Sequence, residues 1–276
     1  MLASLSELLH FAKEKKIAIG AFNVYNMEGI LAVEKATETC KCPAIIQVQT
    51  ASLLTTDYFL LEIALEAARK SKQTIAVHLD HCKDKNVIKN AVERGITSVM
   101  ADGSELKYNE NISFVSHISG LYRAASVEIE AELGRISGDE EGEMKNKLTQ
   151  LMTDPEQVEE YTKKTGAHAL AVCIGNVHGK YDREPKLDLE RLKRIAERSE
   201  IPLVLHGASG LSENLLKSVI QHGVTKINVN TELRETFTNS WMDGLAQKHS
   251  LTEVQQATIS AMTRVVVSKI RIFQGG

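Results

Sequence analysis

The chain has 276 residues, a net charge of −3, 43% hydrophobic and 25% charged residues. That is enough for one large α/β domain with its own core, and the balanced charge excludes the basic field a nucleic-acid partner would need. No apolar run approaches the roughly 20 residues of a membrane span, so neither nucleic acid nor membrane is expected as a partner.

In chain order, MLASLSELLHFAKEKK reads as an amphipathic helix rather than a signal peptide, for want of an apolar core and a cleavage site. Short β-rich runs then alternate with helical patterns. Strands are predicted at 17–24, 44–49, 74–80, 96–102, 126–133, 168–174, 202–207 and 225–230. Helices are predicted at 27–41, 58–71, 84–94, 109–124, 155–165, 188–199, 212–222 and 231–248. Eight strands, each followed by a helix, predict a parallel sheet closed into a (β/α)8 (TIM) barrel, one domain over 1–276. The segment 135–154 breaks this rhythm: it is long, glycine-containing and of mixed charge, and it follows the fifth strand, so it is expected at the catalytic face as an active-site loop. The four cysteines, Cys40, Cys42, Cys82 and Cys173, form no CxxC pair, and a reduced, cytoplasmic location is expected.

A barrel gathers the carboxyl ends of its strands around one mouth. Here those ends carry His78-Leu79-Asp80-His81, Asp102-Gly103-Ser104, Glu130-Ala131-Glu132, Gly175-Asn176-Val177-His178-Gly179, His206-Gly207-Ala208-Ser209-Gly210 and Asn228-Val229-Asn230-Thr231. His81, His178 and His206 could converge there, and three histidines leave one position open on a tetrahedral, zinc-like ion. Such an ion would polarise a substrate carbonyl. One strand-end histidine alone is more often an ordinary satisfied polar residue; three of them, two followed by glycine, make a site. The other six histidines show no such pattern. The loops after strands seven and eight, GASG (207–210) and NVNT (228–231), lead into helices and suit a phosphate group.

These segments resemble the class II, metal-dependent fructose-bisphosphate and tagatose-bisphosphate aldolases. The resemblance runs over nearly the whole chain through AFNVYN (21–26), HLDHC (78–82), SVMADGS (98–104), VEIEAELG (127–134), VCIGNVHGKY (172–181), LVLHGASG (203–210) and KINVNTEL (226–233). It implies cleavage of a ketose 1,6-bisphosphate, of fructose or tagatose type, to dihydroxyacetone phosphate and glyceraldehyde 3-phosphate. Asp80 is implied as the catalytic acid/base, and His81, His178 and His206 as ligands of a catalytic Zn²⁺. Gly179, Gly207, Ala208, Ser209, Asn228, Val229, Asn230 and Thr231 are implied as substrate contacts. Asp102 and Glu132 are implied as a second position, for a divalent or monovalent cation. A loop carboxylate is implied in proton transfer at the dihydroxyacetone carbon. Glu140 is the best match, with Glu141 and Glu143 as neighbours because Ser137-Gly138 replaces the family's Gly-Gly. The middle of the strand-eight motif, often Asp or Ala, is Asn230 here, which bears on the sugar handled. Arg271 is the one candidate near the C-terminus for a distal-phosphate contact. A homodimer or homotetramer is expected.

Three rival readings remain. One is an aldolase for a different phosphorylated ketose. Another is a barrel that serves as a non-catalytic subunit, against which the intact Asp80 and three histidines argue. The last is a Schiff-base aldolase, which needs a desolvated lysine on a strand; strand six carries none, and Lys226, near the start of strand eight, is expected to face the wrong end.

Overall fold

The computed structural model describes residues 1–136, 151–179, 181 and 185–275. Its order is α1 (Leu5–Lys15), β1 (Ile19–Asn23), α2 (Met27–Cys40), β2 (Ala44–Gln49), α3 (Thr50–Thr55), α4 (Phe59–Lys70), β3 (Ile75–Cys82), α5 (Lys85–Glu93), β4 (Ser98–Ala101), α6 (Tyr108–Tyr122), β5 (Glu128–Leu133), α7 (Val158–Thr165), β6 (Ala169–Val172), α8 (Leu189–Arg198), β7 (Leu203–Leu205), α9 (Glu213–Gln221), β8 (Val224–Val229), α10 (Thr231–Ala246) and α11 (Leu251–Phe273). The strands form a closed barrel in sequence order, every pair parallel, with β8 closing on β1. The expected (β/α)8 barrel is therefore observed as a single domain. Most predicted strands shorten by a few residues, whereas β2 keeps its predicted bounds, β3 runs on to Cys82 and β8 shifts one residue earlier. Two elements were not anticipated: α3, a short extension of β2, and α11, whose 23 residues pack on α2 and α10.

Local chemistry sets the helix starts. Asn26, Asp84, Asp188 and Ser212 each accept a backbone N–H from the first turn of α2, α5, α8 and α9, satisfying donors that a helix leaves unpaired.

Strand periodicity then sorts the barrel into layers. Side chains such as Phe22, Ile46, Val77, Ile129 and Ile227 point outward into the shell under the helices. In the barrel's lower interior Ile19, Ala21, Ile45, Ala76, Met100, Ala169, Ala171 and Val204 pack against Leu5, Leu8, Leu9 and Ala12 of α1, which plugs the bottom. Above that plug the interior turns polar, with Asn23, Gln47, His78, Asp80, Glu130, His206, Lys226 and Asn228 all buried. Burying so many polar groups costs about 1–3 kcal/mol for each one left unpaired, so the upper interior must be a hydrogen-bonded network.

α11 descends to the bottom of the barrel. The amide of Ala18, just before β1, donates to the carbonyl of Phe273, and Arg271 lies beside Cys40 at the lower end of α2. Arg271 is thus at the end opposite the mouth, and the expectation that it reaches a distal phosphate in its own barrel is corrected. The C-terminal helix runs away from the mouth, which the residue order alone did not reveal.

Candidate metal centre and substrate site

Asp80 and His81 are adjacent, and in a regular strand adjacent side chains face opposite sides. Here both face the mouth. Between Leu79 and Cys82 the pairing with β4 slips, so that Leu79 faces Val99 and Cys82 faces Ala101. His81 itself sits at φ 45°, in the left-handed region that side chains other than glycine seldom adopt. The bulge turns His81 inward beside Asp80, a local strain of the kind concentrated at functional sites.

His81 meets His178, from the turn after β6, and His206, from the end of β7. Their ring centroids are 5.0 and 4.7 Å from that of His81, and 6.0 Å from each other. One nitrogen from each of the three lies within a single cluster no more than 4.8 Å across. The far nitrogens of two rings are held by carboxylates: His81 Nδ1 is 2.9 Å from Asp102 Oδ2, and His206 Nε2 is 2.8 Å from Glu130 Oε1. An ionised carboxylate only accepts, so each far nitrogen carries the proton. The near nitrogens, His81 Nε2 and His206 Nδ1, then turn lone pairs toward each other at 2.8 Å. That arrangement suits a shared cation, and the donor set fits a zinc-like ion with a position left for substrate.

The carboxylates stay charged although buried. For Asp102, burial raises the pKa, but the hydrogen bonds from His81 and Ser104 outweigh it and hold the group well below the usual carboxylate range. For Glu130, burial again raises the pKa, and the Lys226 ammonium and the His206 hydrogen bond overcome it. Burial lowers the pKa of His206, which favours the neutral ring a metal needs. Glu132 behaves differently: burial, reinforced by nearby Asp102, pushes it up to about 7. With His81 and Asp102 it forms a second cluster of ligand atoms, and Asp102 and Glu132 are the pair that the family resemblance implies at a second cation position.

Asp80 lies just beneath. Its Oδ2 accepts from Asn23 Nδ2 at 2.8 Å and its Oδ1 from Asn228 Nδ2 at 3.3 Å. Gln47 Nε2 in turn donates to Asn23 Oδ1 at 3.1 Å. Asn228 Nδ2 also lies 3.3 Å from His206 Nδ1, so one amide joins the carboxylate to the histidine cluster. Asp80 does not cap the following helix, because Asp84 does so.

His178, Gly179, Gly207, Ser209, Asn228, Asn230 and Thr231 line one recess beside the histidines, bringing together most of the residues expected to touch substrate. Ala208 and Val229 are buried with their side chains in the core, which leaves their backbones to face a ligand. Gly207 is required here: at φ 64°, a Cβ on it would stand 2.0 Å from the Val177 carbonyl oxygen. This contact lets the loop bearing His178 approach the loop bearing His206. Tyr181 and Asn176 lock the same junction, the Tyr181 hydroxyl donating to Gly207 O at 2.7 Å and Asn176 Nδ2 to His206 O at 3.0 Å. Asn230, at the start of α10, makes no side-chain cap; its Oδ1 accepts instead from the Tyr25 hydroxyl at 2.9 Å.

Lys226 corrects another expectation. Rather than facing the bottom, its side chain reaches into the polar interior and ends 2.8 Å from Glu130 Oε2. Tied in that ion pair, it is no Schiff-base lysine. The sequence reading also missed Asn23, Gln47 and Tyr25 as network members, although AFNVYN contained two of them at a strand end. Glu140, Glu141, Glu143 and most of the loop 135–154 lie outside the described residues. The two stems of that loop are described: Arg135 and Leu151 pair across it, and the Arg135 guanidinium donates to the carbonyls of Ser104 and Glu105.

Comparison with known proteins identifies the family and the fold. The family described as fructose-bisphosphate aldolase class-II matches residues 3–275. Among solved structures, a protein of Coccidioides immitis provisionally described as a fructose-1,6-biphosphate aldolase is 34% identical, with a TM-score of 0.91, over 98% of this chain and 95% of that one. The YdjI aldolase of Escherichia coli K12 is 31% identical, with a TM-score of 0.87, over 99% of this chain and 97% of that one. The fructose-bisphosphate aldolase Fba of Campylobacter jejuni, at 23% identity and a TM-score of 0.79 over 99% of this chain and 95% of that one, shares the fold.

Proposed function

Because the chain belongs to the class II fructose-bisphosphate aldolases and is a carbon–carbon lyase, we propose that it reversibly cleaves a ketose 1,6-bisphosphate, of fructose or tagatose type. The products are dihydroxyacetone phosphate and glyceraldehyde 3-phosphate. The observation that carries this reading is the convergence of His81, His178 and His206, with His206 joined to Asp80 through the Asn228 amide.

In this reading the three histidines hold Zn²⁺, which when bound supplies Lewis-acid polarisation of the ketose carbonyl. Asp80 takes the proton of the C4 hydroxyl as the C3–C4 bond breaks and the aldehyde departs. Asn23 and Asn228, each donating to one of its oxygens, fix the direction from which Asp80 acts. The backbones of Gly179, Gly207, Ala208 and Ser209 hold the phosphate of the dihydroxyacetone half, and Asn228, Val229, Asn230 and Thr231 complete its contacts. Asp102 and Glu132 serve as a second cation position, divalent or monovalent. Glu140, on the active-site loop 135–154, returns a proton to the enediolate carbon; the pinned stems of that loop at the mouth support its place there.

A homodimer or homotetramer fits the exposed apolar residues Met242, Leu245 and Leu251 around the α10–α11 turn. No described helix is long and apolar enough to cross a membrane. The four cysteines form no disulfide with one another, which supports a cytoplasmic setting.

The testing experiment supplies fructose and tagatose 1,6-bisphosphate separately, with and without added Zn²⁺, and measures dihydroxyacetone phosphate. One of the two is expected to be cleaved faster, and only with metal. No dihydroxyacetone phosphate from either would overturn the substrate assignment. A separate measurement addresses the loop. Glu140→Ala is expected to slow exchange of the dihydroxyacetone phosphate C3 proton with solvent by about 10²-fold or more, with little change in affinity. Exchange at the wild-type rate would move the role to Glu141 or Glu143, each tested in the same way.

A further inference from the structure

Beneath the histidine cluster lies a buried charged pair for which the cleavage chemistry has no direct use. Lys226 from β8 and Glu130 from β5 reach across the barrel interior and meet at 2.8 Å, both fully buried. Glu130 divides its oxygens: Oε2 takes Lys226, and Oε1 takes His206 Nε2 at 2.8 Å. His78, also fully buried, stands 3.5 Å from Oε2 and spends its Nδ1 on Ser98 Oγ at 2.7 Å. Buried ion pairs seldom add net stability, because desolvation offsets their attraction. A core that needed only filling would be served as well by apolar side chains. What the pair does supply is an acceptor at one fixed point behind His206.

We propose that Glu130, anchored by Lys226, is a positioning residue that sets the plane and the protonated nitrogen of His206, so that its Nδ1 is delivered to the metal. The geometry gives each partner a separate task. Glu130 Oε1 accepts the Nε2 proton, which leaves the lone pair on Nδ1, 2.8 Å from His81 Nε2. Lys226 fixes the far oxygen of the same carboxylate, so Glu130 cannot swing away from the ring. A histidine ligand whose second nitrogen is held by a carboxylate is better oriented and more basic than one left free, and loss of such a partner typically weakens metal binding by about 10- to 100-fold.

The inference rests on reading His81, His178 and His206 as the metal ligands, and the test separates the two. Zn²⁺ dissociation constants are measured by competition with a chromophoric chelator, and visible spectra are recorded for the Co²⁺-loaded protein. Two double variants remove the ion pair without leaving a lone buried charge. Glu130→Leu with Lys226→Met removes the acceptor, whereas Glu130→Gln with Lys226→Met keeps a neutral one. The leucine pair is expected to bind Zn²⁺ about 10- to 100-fold more weakly and to change the Co²⁺ spectrum, and the glutamine pair to recover most of that loss. Glu130→Asp serves if the leucine pair does not fold: it keeps the charge for Lys226 but draws the oxygen back from His206, and weaker Zn²⁺ binding is expected again. Wild-type affinity and spectrum in the leucine pair, or in Glu130→Asp where that pair does not fold, would overturn the proposal. Failure of the wild-type protein itself to bind Zn²⁺ would instead overturn the metal-site reading beneath it.

Discussion

Asp80→Ala is expected to retain Zn²⁺ and lose cleavage by about 10²- to 10⁴-fold, the loss typical of removing a positioned base. Asp80 faces the histidine cluster from below and is held by amides of Asn23 and Asn228, not by ligand nitrogens. Its carboxylate is therefore placed to meet a substrate hydroxyl and not to complete a metal's coordination. His206→Ala is the necessary contrast. It removes one of three nitrogen donors and leaves Glu130 without its partner on that side, so metal and activity should disappear together. Metal content by atomic emission, beside the rate of dihydroxyacetone phosphate release, separates the two variants. An Asp80→Ala protein that is folded yet metal-free would transfer Asp80 from acid/base to ligand and dissolve the proposed division of labour.

Exhaustive chelation is expected to abolish cleavage, and Zn²⁺ or Co²⁺ to restore it. The lone pairs of His81 and His206 face each other at 2.8 Å, as a shared cation requires, and Lys226 is the one lysine of the described barrel strands. Lys226 is committed to Glu130, and Lys226 is the lysine that a Schiff-base mechanism would have recruited. Borohydride added with substrate should accordingly leave the enzyme active. Full activity in the chelator, or a substrate-dependent loss on reduction with a lysine labelled, would exclude the metal mechanism.

Much of this protein is legible in its sequence alone. Alternation of β-rich runs with amphipathic stretches depends on residues a few positions apart, and eight repeats of it leave little choice but a closed parallel barrel. Once the barrel is granted, strand ends share one mouth, so His81, His178, His206, Asp80 and the GASG and NVNT loops could be gathered from their places in the chain. Their convergence is a consequence of topology, and topology is written in the order of elements.

Other features depended on contacts between residues far apart in the chain. Period-two reasoning gives Asp80 and His81 opposite faces, and only the slipped pairing with β4 and the left-handed backbone at His81 turn both inward. Arg271 looked available for a phosphate because nothing in its surroundings tells which way a C-terminal helix runs; packing on α2 sends it to the bottom. Glu130 and Lys226 lie 96 positions apart, and a lysine near the start of a strand carries no mark of the carboxylate it will meet. Local sequence fixes the period and the ends of elements, because those follow from short-range sterics and burial. Which polar side chains pair across the barrel is decided only when the sheet closes and each must find a partner or bear the cost of desolvation.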